Sequence, residues 1–362
     1  MKIAIVGAGI VGSTAAYYLS KEKDVEVTVF DHGLGQATKA AAGIISPWFS
    51  KRRNKAWYRM ARLGADFYQD LVSDLENDGY DTSFYDQSGV ALLKKDDSKL
   101  DGLYQHAETR LEESPIIGEL SIKNAADLPE FTGFDRYLYA SGGARVEGAE
   151  LTATLIEASG FEKVEGLVTL SPLDNGTYEI NGQTFDKVIL SCGAWLGQTL
   201  EPLGFEVDVR PQKGQLRDYF FEGMDTGRLP VLMPEGELDV IPFAGGKISV
   251  GASHENDQGF DLTVDETVLA SLEEEAKTYF PDLSTAKSIS ERVGTRAYTS
   301  DFSPFFGEVP ELEGVFVASG LGSSGLTTGP LIGKNLVELA MNRPGSLDSA
   351  DYPVAQYVKK KD

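Results

Sequence analysis

The sequence predicts an α/β fold that combines a Rossmann-like nucleotide-binding domain with a part built on antiparallel strands. Two strand–glycine-rich loop–helix units, one at each end of the chain, predict the nucleotide-binding domain. Alternation of apolar and polar residues between about 207 and 252 predicts the antiparallel strands. A length of 362 residues suits two domains.

The first unit spans residues 2–31 and carries a dinucleotide fingerprint. A strand over 2–6 leads into G-x-G-x-x-G at Gly7, Gly9 and Gly12, a helical stretch follows, and a second strand ends on Asp31. The glycines suit a tight turn, close approach of a pyrophosphate and helix packing, and the helix N-terminus favours phosphate. Asp31 would accept hydrogen bonds from a ribose hydroxyl. The alternative is a strand–turn–helix that only packs.

Composition excludes several classes of protein. The net charge of −23 repels nucleic acid and anionic membrane surfaces. There is no apolar run long enough for a transmembrane helix, and we expect no signal peptide because the first strand begins at residue 2. The single cysteine and the separated His32, His106 and His254 predict no disulfide and no metal site. We therefore expect a cytoplasmic protein.

Two segments after Asp31 each leave two interpretations open. Small residues dominate 37–47, which is typical either of tight packing against a sheet or of a segment that runs along an extended cofactor. Lysines and arginines without an acid fill 51–62, which indicates either a solvated helix face or a positive field that attracts an anionic substrate.

The remaining elements follow from periodicity and turn residues. We predict a separate module over 80–140, a helix over 149–159, strands over 167–170 and 187–195, and a hairpin around Asn181-Gly182. A helix is predicted over 264–279 and a strand over 315–319. The last helix is predicted over 330–341, with Pro330 in its first turn.

The second glycine-rich loop favours a flavin over a nicotinamide. A flavin dinucleotide is long, and its ring lies far from the pyrophosphate. A second helix N-terminus beside the ring would stabilise the negative charge that develops when hydride is transferred to it.

The chain resembles the D-amino acid oxidase-like flavoproteins, which include glycine oxidase, sarcosine oxidase and D-amino acid dehydrogenase. Nearly the whole chain takes part, and the glycine oxidase branch is the most similar. The matching segments are Gly7–Gly12, Phe30–Gly33, Thr38–Ile44, Cys192–Trp195, Arg210–Gln215, Gly294–Arg296 with Asp301–Gly307, and Gly320–Gly325.

The resemblance implies an FAD domain, made of residues 1–79, 140–206 and 291–362, that is interrupted by a substrate domain of α+β type on an antiparallel sheet, made of 80–139 and 207–290. It implies noncovalent FAD, with Val168 contacting adenine through its backbone. The cofactor-binding residues implied are Gly7, Gly9, Ile10, Val11, Gly12, Asp31, His32, Thr38, Ala42, Gly43, Ile44, Val168, Cys192, Gly193, Trp195, Gly320, Leu321, Gly322, Ser323, Ser324, Gly325, Leu326 and Thr327.

The chemistry implied is oxidation of the C–N bond of an amino acid or an N-substituted glycine, by hydride transfer to flavin. Arg296 would hold the substrate carboxylate as a bidentate guanidinium, and Lys51 and Arg52 are weaker candidates for charges near the flavin. Composition alone favours a buried structural ion pair for Arg296, and the resemblance favours the carboxylate anchor. Oxygen or another acceptor would reoxidise the flavin. Two alternatives stay open: a 2-hydroxy acid oxidoreductase of related fold, and a flavin-binding protein without turnover.

Three positions depart from the family pattern. Ala297 stands where proline often follows the arginine, and Leu321 stands where glycine oxidase has a polar residue beside the ring. Asp239 falls where related oxidases have a tyrosine facing the substrate. Asp239 or Tyr298 inside the pocket would favour amines over hydroxy acids.

Overall fold

The computed structural model describes residues 1–361. Its α-helices are α1 (Ile10–Leu19), α2 (Ala37–Ala40), α3 (Lys55–Asn77), α4 (Asp97–Glu108), α5 (Gly148–Ser159), α6 (Leu196–Leu200), α7 (Glu266–Lys277) and α8 (Gly325–Ala340). Its strands are β1 (Lys2–Val6), β2 (Glu26–Asp31), β3 (Ile44–Ile45), β4 (Tyr85–Asp86), β5 (Val90–Leu92), β6 (Leu120–Asn124), β7 (Arg136–Ala140), β8 (Ala144–Val146), β9 (Glu162–Glu165), β10 (Ser171–Pro172), β11 (Tyr178–Ile180), β12 (Gln183–Phe185), β13 (Lys187–Leu190), β14 (Phe205–Val207), β15 (Arg210–Phe220), β16 (Val231–Met233), β17 (Asp239–Phe243), β18 (Lys247–Gly251), β19 (Ser288–Tyr298), β20 (Phe305–Glu308), β21 (Val315–Ser319) and β22 (Val358–Lys360).

A six-stranded sheet forms the centre of the first domain, in the order β20-β21-β13-β1-β2-β9. All neighbours are parallel except β20, which pairs antiparallel with β21. Strand β1 is buried over four of its five residues, as expected of a central parallel strand. The predicted Rossmann-like βαβ unit is therefore confirmed.

An eight-stranded sheet forms the second part, in the order β19-β15-β18-β17-β16-β5-β7-β6. Its neighbours are antiparallel except β5 and β16. Each face has its own core: Val240 belongs to a core with Phe280 beneath α7, whereas Ile241 and Phe243 belong to the core that also contains Ile10 of the first domain. The predicted antiparallel sheet is confirmed. The domain boundaries stay a prediction, and β19 runs across the one placed at 290/291.

Helices α1, α5 and α8 pack together beside the six-stranded sheet, and α3 packs on α8. The α3–α8 contact depends on Gly64, since a Cβ there would collide with the Thr327 carbonyl. None of the helices within residues 1–361 is at once long enough and apolar enough to cross a membrane.

Two predicted strands are wrong in their bounds. Residues 167–170 form no strand, and β9 lies at Glu162–Glu165 instead. It is an exposed edge strand without an apolar pattern, and Gly166, with φ of 128°, ends it. The strand predicted over 187–195 ends at Leu190, and Gly193–Trp195 is a 3-10 turn. The hairpin is confirmed, because Asn181 and Gly182 join β11 to β12 with positive φ.

Pro330 is not in the first turn of the last helix, as predicted, because α8 begins at Gly325. A proline inside a helix has no N–H for the carbonyl four residues earlier, which is that of Leu326. The buried Tyr68 hydroxyl of α3 donates to this carbonyl at 2.7 Å. The contact between α3 and α8 therefore replaces the missing helical hydrogen bond.

We expect Tyr68→Phe to lower the free energy of unfolding by about 1–3 kcal/mol, because the buried Leu326 carbonyl would lose its donor. Pro330→Ala supplies a backbone N–H to the same carbonyl, so the double variant should lose less than Tyr68→Phe alone. Urea denaturation measures all three, and Tyr104→Phe, whose hydroxyl is exposed, is the control. An equal loss from Tyr68→Phe whether or not Pro330→Ala is also present would contradict this account.

Candidate active site

A cleft of about 1080 Å³, open mouth included, lies where the carboxyl ends of β1, β2 and β13 meet strand β19 and the loop before α8. It is the position where doubly wound sheets bind their ligands. The predicted cofactor residues that line it are Gly7, Gly9, Ile10, Val11, Asp31, His32, Thr38, Val168, Cys192, Gly193, Trp195, Leu321, Gly322 and Gly325. The predicted residues that do not line it are Gly12, Ala42, Gly43, Ile44, Gly320, Ser323, Ser324, Leu326, Thr327 and Arg296.

The first glycine-rich loop is folded tightly at the N-terminus of α1. A Cβ at Gly12 would collide with the Gly7 carbonyl, so Gly12 packs beneath the loop rather than in the cleft. Gly9 is the N-cap of α1 and has no side chain to bond the first N–H groups. The helix N-terminus is thus directed into the cleft, where it favours a phosphate.

Asp31 lines the cleft, and its carboxylate also holds the glycine-rich loop. Its Oδ1 accepts from Ala8 N at 3.0 Å, and Oδ1 and Oδ2 accept from Gln36 Nε2 at 2.8 and 2.7 Å. It is buried at 6% exposure. If Asp31 binds a ribose hydroxyl as predicted, one carboxylate therefore serves both the ribose and the loop.

Thr38 holds the start of α1 from another part of the chain. Its Oγ1 accepts the N–H of Ile10 at 3.0 Å, which provides the cap that Gly9 lacks. Sequence reasoning placed Thr38 beside the cofactor but missed this bond.

Two buried polar atoms in the cleft have no partner among residues 1–361. They are Gln36 Oε1 and Thr295 Oγ1, and both residues line the cleft. Such atoms are costly unless something bonds them. They fit an extended polar ligand such as a dinucleotide. Neither residue was predicted, since nothing in the local sequence marks its side chain as facing a ligand.

Cys192 lines the cleft as a protonated thiol. Burial raises its pKa to about 11, and its Sγ donates to the Val6 carbonyl at 3.5 Å. A thiol with a raised pKa is a poor nucleophile. The site therefore suits a cofactor that is not covalently attached.

The small residues at 41–44 pack against β8. Ile44 pairs with Arg145, and a Cβ at Gly43 would collide with the Val146 carbonyl. The packing interpretation therefore holds at Gly43. The predicted cofactor contacts of Ala42, Gly43 and Ile44 stay predictions.

Strand alternation in β19 separates Arg296 from its neighbours. Thr295 and Ala297 line the cleft, whereas the Arg296 side chain crosses Gly214, where a Cβ would lie 2.7 Å from the guanidinium carbon. Arg296 Nη1 donates to the Ser253 carbonyl at 2.7 Å and to Gln212 Oε1 at 3.2 Å. Burial lowers the pKa of Arg296.

Lys51 and Arg52 are exposed and precede α3 rather than belonging to it. The Arg52 guanidinium lies 4.6 Å from the Trp57 ring, and its Nη1 lies 3.5 Å from the Phe302 carbonyl. The part of the basic segment that contains them is a solvated surface beside the Phe302 loop. Their predicted role near the flavin stays a prediction.

Comparisons with known proteins agree with this geometry. The model of the FAD dependent oxidoreductase family matches residues 2–339. An uncharacterized oxidoreductase, YurR, of Bacillus subtilis is 38% identical over 97% of this chain and 98% of its own length. Glycine oxidase of Pseudomonas aeruginosa is 29% identical over 98% of each chain. The crystal structure of iminodiacetate oxidase from Chelativorans sp. BNC1 superposes with a TM-score of 0.91 at 31% identity, over 97% of this chain and 98% of that one.

We expect Thr38→Val to lower the stability of the cofactor-free protein by about 0.5–2 kcal/mol, since the Ile10 N–H would lose its acceptor. Thr38→Ser keeps the oxygen and should stay close to wild type. The midpoint of urea unfolding compares the two variants. If serine and valine cost the same, Thr38 acts through its methyl group and not through the cap.

Proposed function

Because the chain belongs to the FAD dependent oxidoreductase family, we propose that it oxidises the C–N bond of an amino acid or an N-substituted glycine, with Arg296 holding the substrate carboxylate. The family resemblance seen in the sequence is confirmed by the family match, and the cofactor is FAD. The relatives named glycine oxidase and iminodiacetate oxidase act on C–N bonds, which supports an amine substrate here.

The observation that carries this proposal is a largely buried guanidinium without an acid. Within residues 1–361, no carboxylate lies within ion-pair distance of Arg296, so the structural ion pair considered from sequence is not observed. Three other arginines with largely buried side chains do have an acid: Arg145 has Asp86 at 2.5 Å, Arg217 has Glu266 at 2.6 Å, and Arg292 has Asp218 at 2.9 Å. A buried charge without a counter-ion is unfavourable until one binds.

The geometry of Arg296 also suits a carboxylate. Its hydrogen bonds to Ser253 and Gln212 use Nη1 alone. The rest of the planar guanidinium has no hydrogen-bond partner among the described residues and can donate to both oxygens of a carboxylate. Orientation of the substrate by such a pair is itself catalytic, since it fixes the reacting carbon in place.

Residues of the cleft would hold FAD in distinct ways. The N-terminus of α1 would take the pyrophosphate and Asp31 a ribose hydroxyl. Gln36 would accept with its free Oε1, and Thr295 would donate or accept with its free hydroxyl. Bound FAD supplies a ring that accepts a hydride. We propose that it is held noncovalently, since the Cys192 thiol is protonated, and release of all the flavin by acid precipitation checks this.

We expect Asp31→Ala to raise the dissociation constant of FAD about 10- to 100-fold, because a charge-assisted hydrogen bond is worth about 1.5–3 kcal/mol. Asp186→Asn is the matched control, since Asp186 also accepts a backbone N–H of β1, that of Lys2 at 2.7 Å, but lies outside the cleft. Fluorescence titration of the apoprotein measures both. An unchanged dissociation constant of FAD for Asp31→Ala would show that Asp31 does not bind the ribose.

We expect Arg296→Ala to lower the efficiency of anaerobic flavin reduction by a carboxylate-bearing amine about 30- to 1000-fold, the range for truncation of a buried charge pair. Arg296→Lys keeps the positive charge but loses the planar guanidinium that bonds both carboxylate oxygens, so flavin reduction should also be impaired. Arg210→Ala is the control, because Arg210 is exposed at the start of the neighbouring strand β15. The panel contains sarcosine, iminodiacetate, glycine and D-amino acids.

Three outcomes would contradict the proposed function. Variants at Arg296 that reduce as fast as wild type would place the carboxylate elsewhere. Reduction by glycolate or lactate but by no amine would favour a hydroxy acid oxidoreductase. No reduction by any panel member would favour a flavin-binding protein without turnover. Addition of oxygen or an artificial acceptor to the reduced enzyme then identifies the electron acceptor.

A further inference from the structure

Asp239, at the start of β17, is a partly buried carboxylate without a partner. Its side-chain carboxylate makes no hydrogen bond and no ion pair with any of residues 1–361. Burial raises its pKa to about 8. A desolvated carboxylate that nothing stabilises is unfavourable for folding, and such groups concentrate in functional sites.

Strand alternation shows which face of the sheet Asp239 occupies. Residues two and four further along, Ile241 and Phe243, pack in the core shared with the first domain. The intervening Val240 packs in the separate core beneath α7. Asp239 therefore points to the side of the sheet that faces the FAD-binding domain.

Arg296 lies over the same face. Asp239 pairs with Gly251, and Gly251 pairs with Leu216, so these three residues form one row across the sheet. Gly214, which the Arg296 guanidinium crosses, is two residues from Leu216 and shares its face. Gly214 leaves the room that the Arg296 guanidinium occupies, since a Cβ there would collide with it, and the acid and the cation therefore share one face of the sheet.

The same place adjoins the segment that the family resemblance sets beside the flavin. Met233 follows Leu232, the register partner of Val240, so it lies next to Asp239 in the antiparallel ladder. The Ser46 hydroxyl donates to Met233 Sδ at 3.6 Å. Ser46 directly follows β3, whose first residue is Ile44.

Other charged groups near Asp239 are engaged elsewhere. His254 lies 3.5 Å from Glu237, and burial together with the Arg296 charge lowers its pKa, so it is mostly neutral at neutral pH. Further charged groups on the adjoining strands and loops are also paired, and they include Glu235 with Lys99, Glu255 with Gln215, Lys213 with Asp261, Arg217 with Glu266, and Asp218 with Arg292 and Lys247.

We propose that Asp239 binds the amino nitrogen of the substrate and takes a proton from its ammonium form, while Arg296 holds the carboxylate further along the same face of the sheet. This assignment rests on the proposed function. One N–H bond of the ammonium breaks, the proton moves to an Asp239 carboxylate oxygen, and nitrogen keeps the electron pair that the C=N bond needs. The substrate class is a carboxylate-bearing primary or secondary amine that binds as its zwitterion.

The most direct test of the Asp239 contact compares an amine with the ether that has oxygen in place of the nitrogen. Iminodiacetate and diglycolate differ by NH against O, as do sarcosine and methoxyacetate. Asp239→Asn in the holoenzyme should lower the efficiency of anaerobic flavin reduction by the amines about 10- to 100-fold near pH 7.5, which is the usual share of a positioned base. It should change the affinity for the ethers, measured by perturbation of the flavin spectrum, by less than about twofold.

The pH profile gives a readout that a structural role would not move. Reduction efficiency of wild type should rise as Asp239 ionises near pH 8 and fall again above the pKa of the free amine. Asp239→Asn should only rise, through the pKa of the amine. Glu237→Gln, which removes an exposed charge near Arg296, should keep the wild-type profile.

Wild type alone also tests the proposal if Asp239→Asn does not fold. The dianion diglycolate should bind more weakly as pH rises through about 8, because an ionised Asp239 repels it. Binding independent of pH in that range would overturn the assignment.

The outcomes separate this inference from the proposed function. Equal losses for amine and ether, or no loss for either, would overturn the role of Asp239 while Arg296→Ala still weakens both. If wild type is reduced by no amine, the proposed function and this inference fall together.

Discussion

The ladder between β15 and β19 is the constraint on which the active site depends. It is continuous from Arg210 and Tyr298 to Phe220 and Ser288. At its start, Thr295 N donates to the Gly35 carbonyl at 2.9 Å, which ties the antiparallel sheet to the loop after β2. Because side chains alternate along a strand, this one segment lines the FAD cleft with Thr295 and Ala297 and presents Arg296 to the other face.

Charge pairing then distinguishes structural from functional groups. Arg145, Arg217 and Arg292 hold elements together and each form an ion pair with a carboxylate, as Arg217 does with Glu266 and Glu273. Arg296 and Asp239 are the opposite case, a cation and an acid on one sheet face that do not pair with each other or with another charge in residues 1–361. A zwitterionic molecule bound between them, as we propose, would offset the cost of their burial.

Backbone groups in the first domain are satisfied by side chains from distant parts of the chain. Thr38 caps α1, and Tyr68 replaces the hydrogen bond that Pro330 cannot make. Both contacts lie around the cleft, since α1 starts at the glycine-rich loop and α8 starts at the second one. Such bonds keep two helix N-termini in fixed positions, which a preorganised site requires.

The sequence by itself determined the βαβ unit, the hairpin at Asn181-Gly182, the antiparallel part and the family, because these depend on short-range periodicity, turn chemistry and motif order. The tertiary structure alone decided that Pro330 sits inside α8, that β9 precedes Leu167, and that Gln36 and Thr295 line the cleft. It also decided that Arg296 lacks an acid and that Asp239 shares its face. Those features depend on partners far away in the chain, and hydrogen bonding and burial between distant segments leave no local pattern to read.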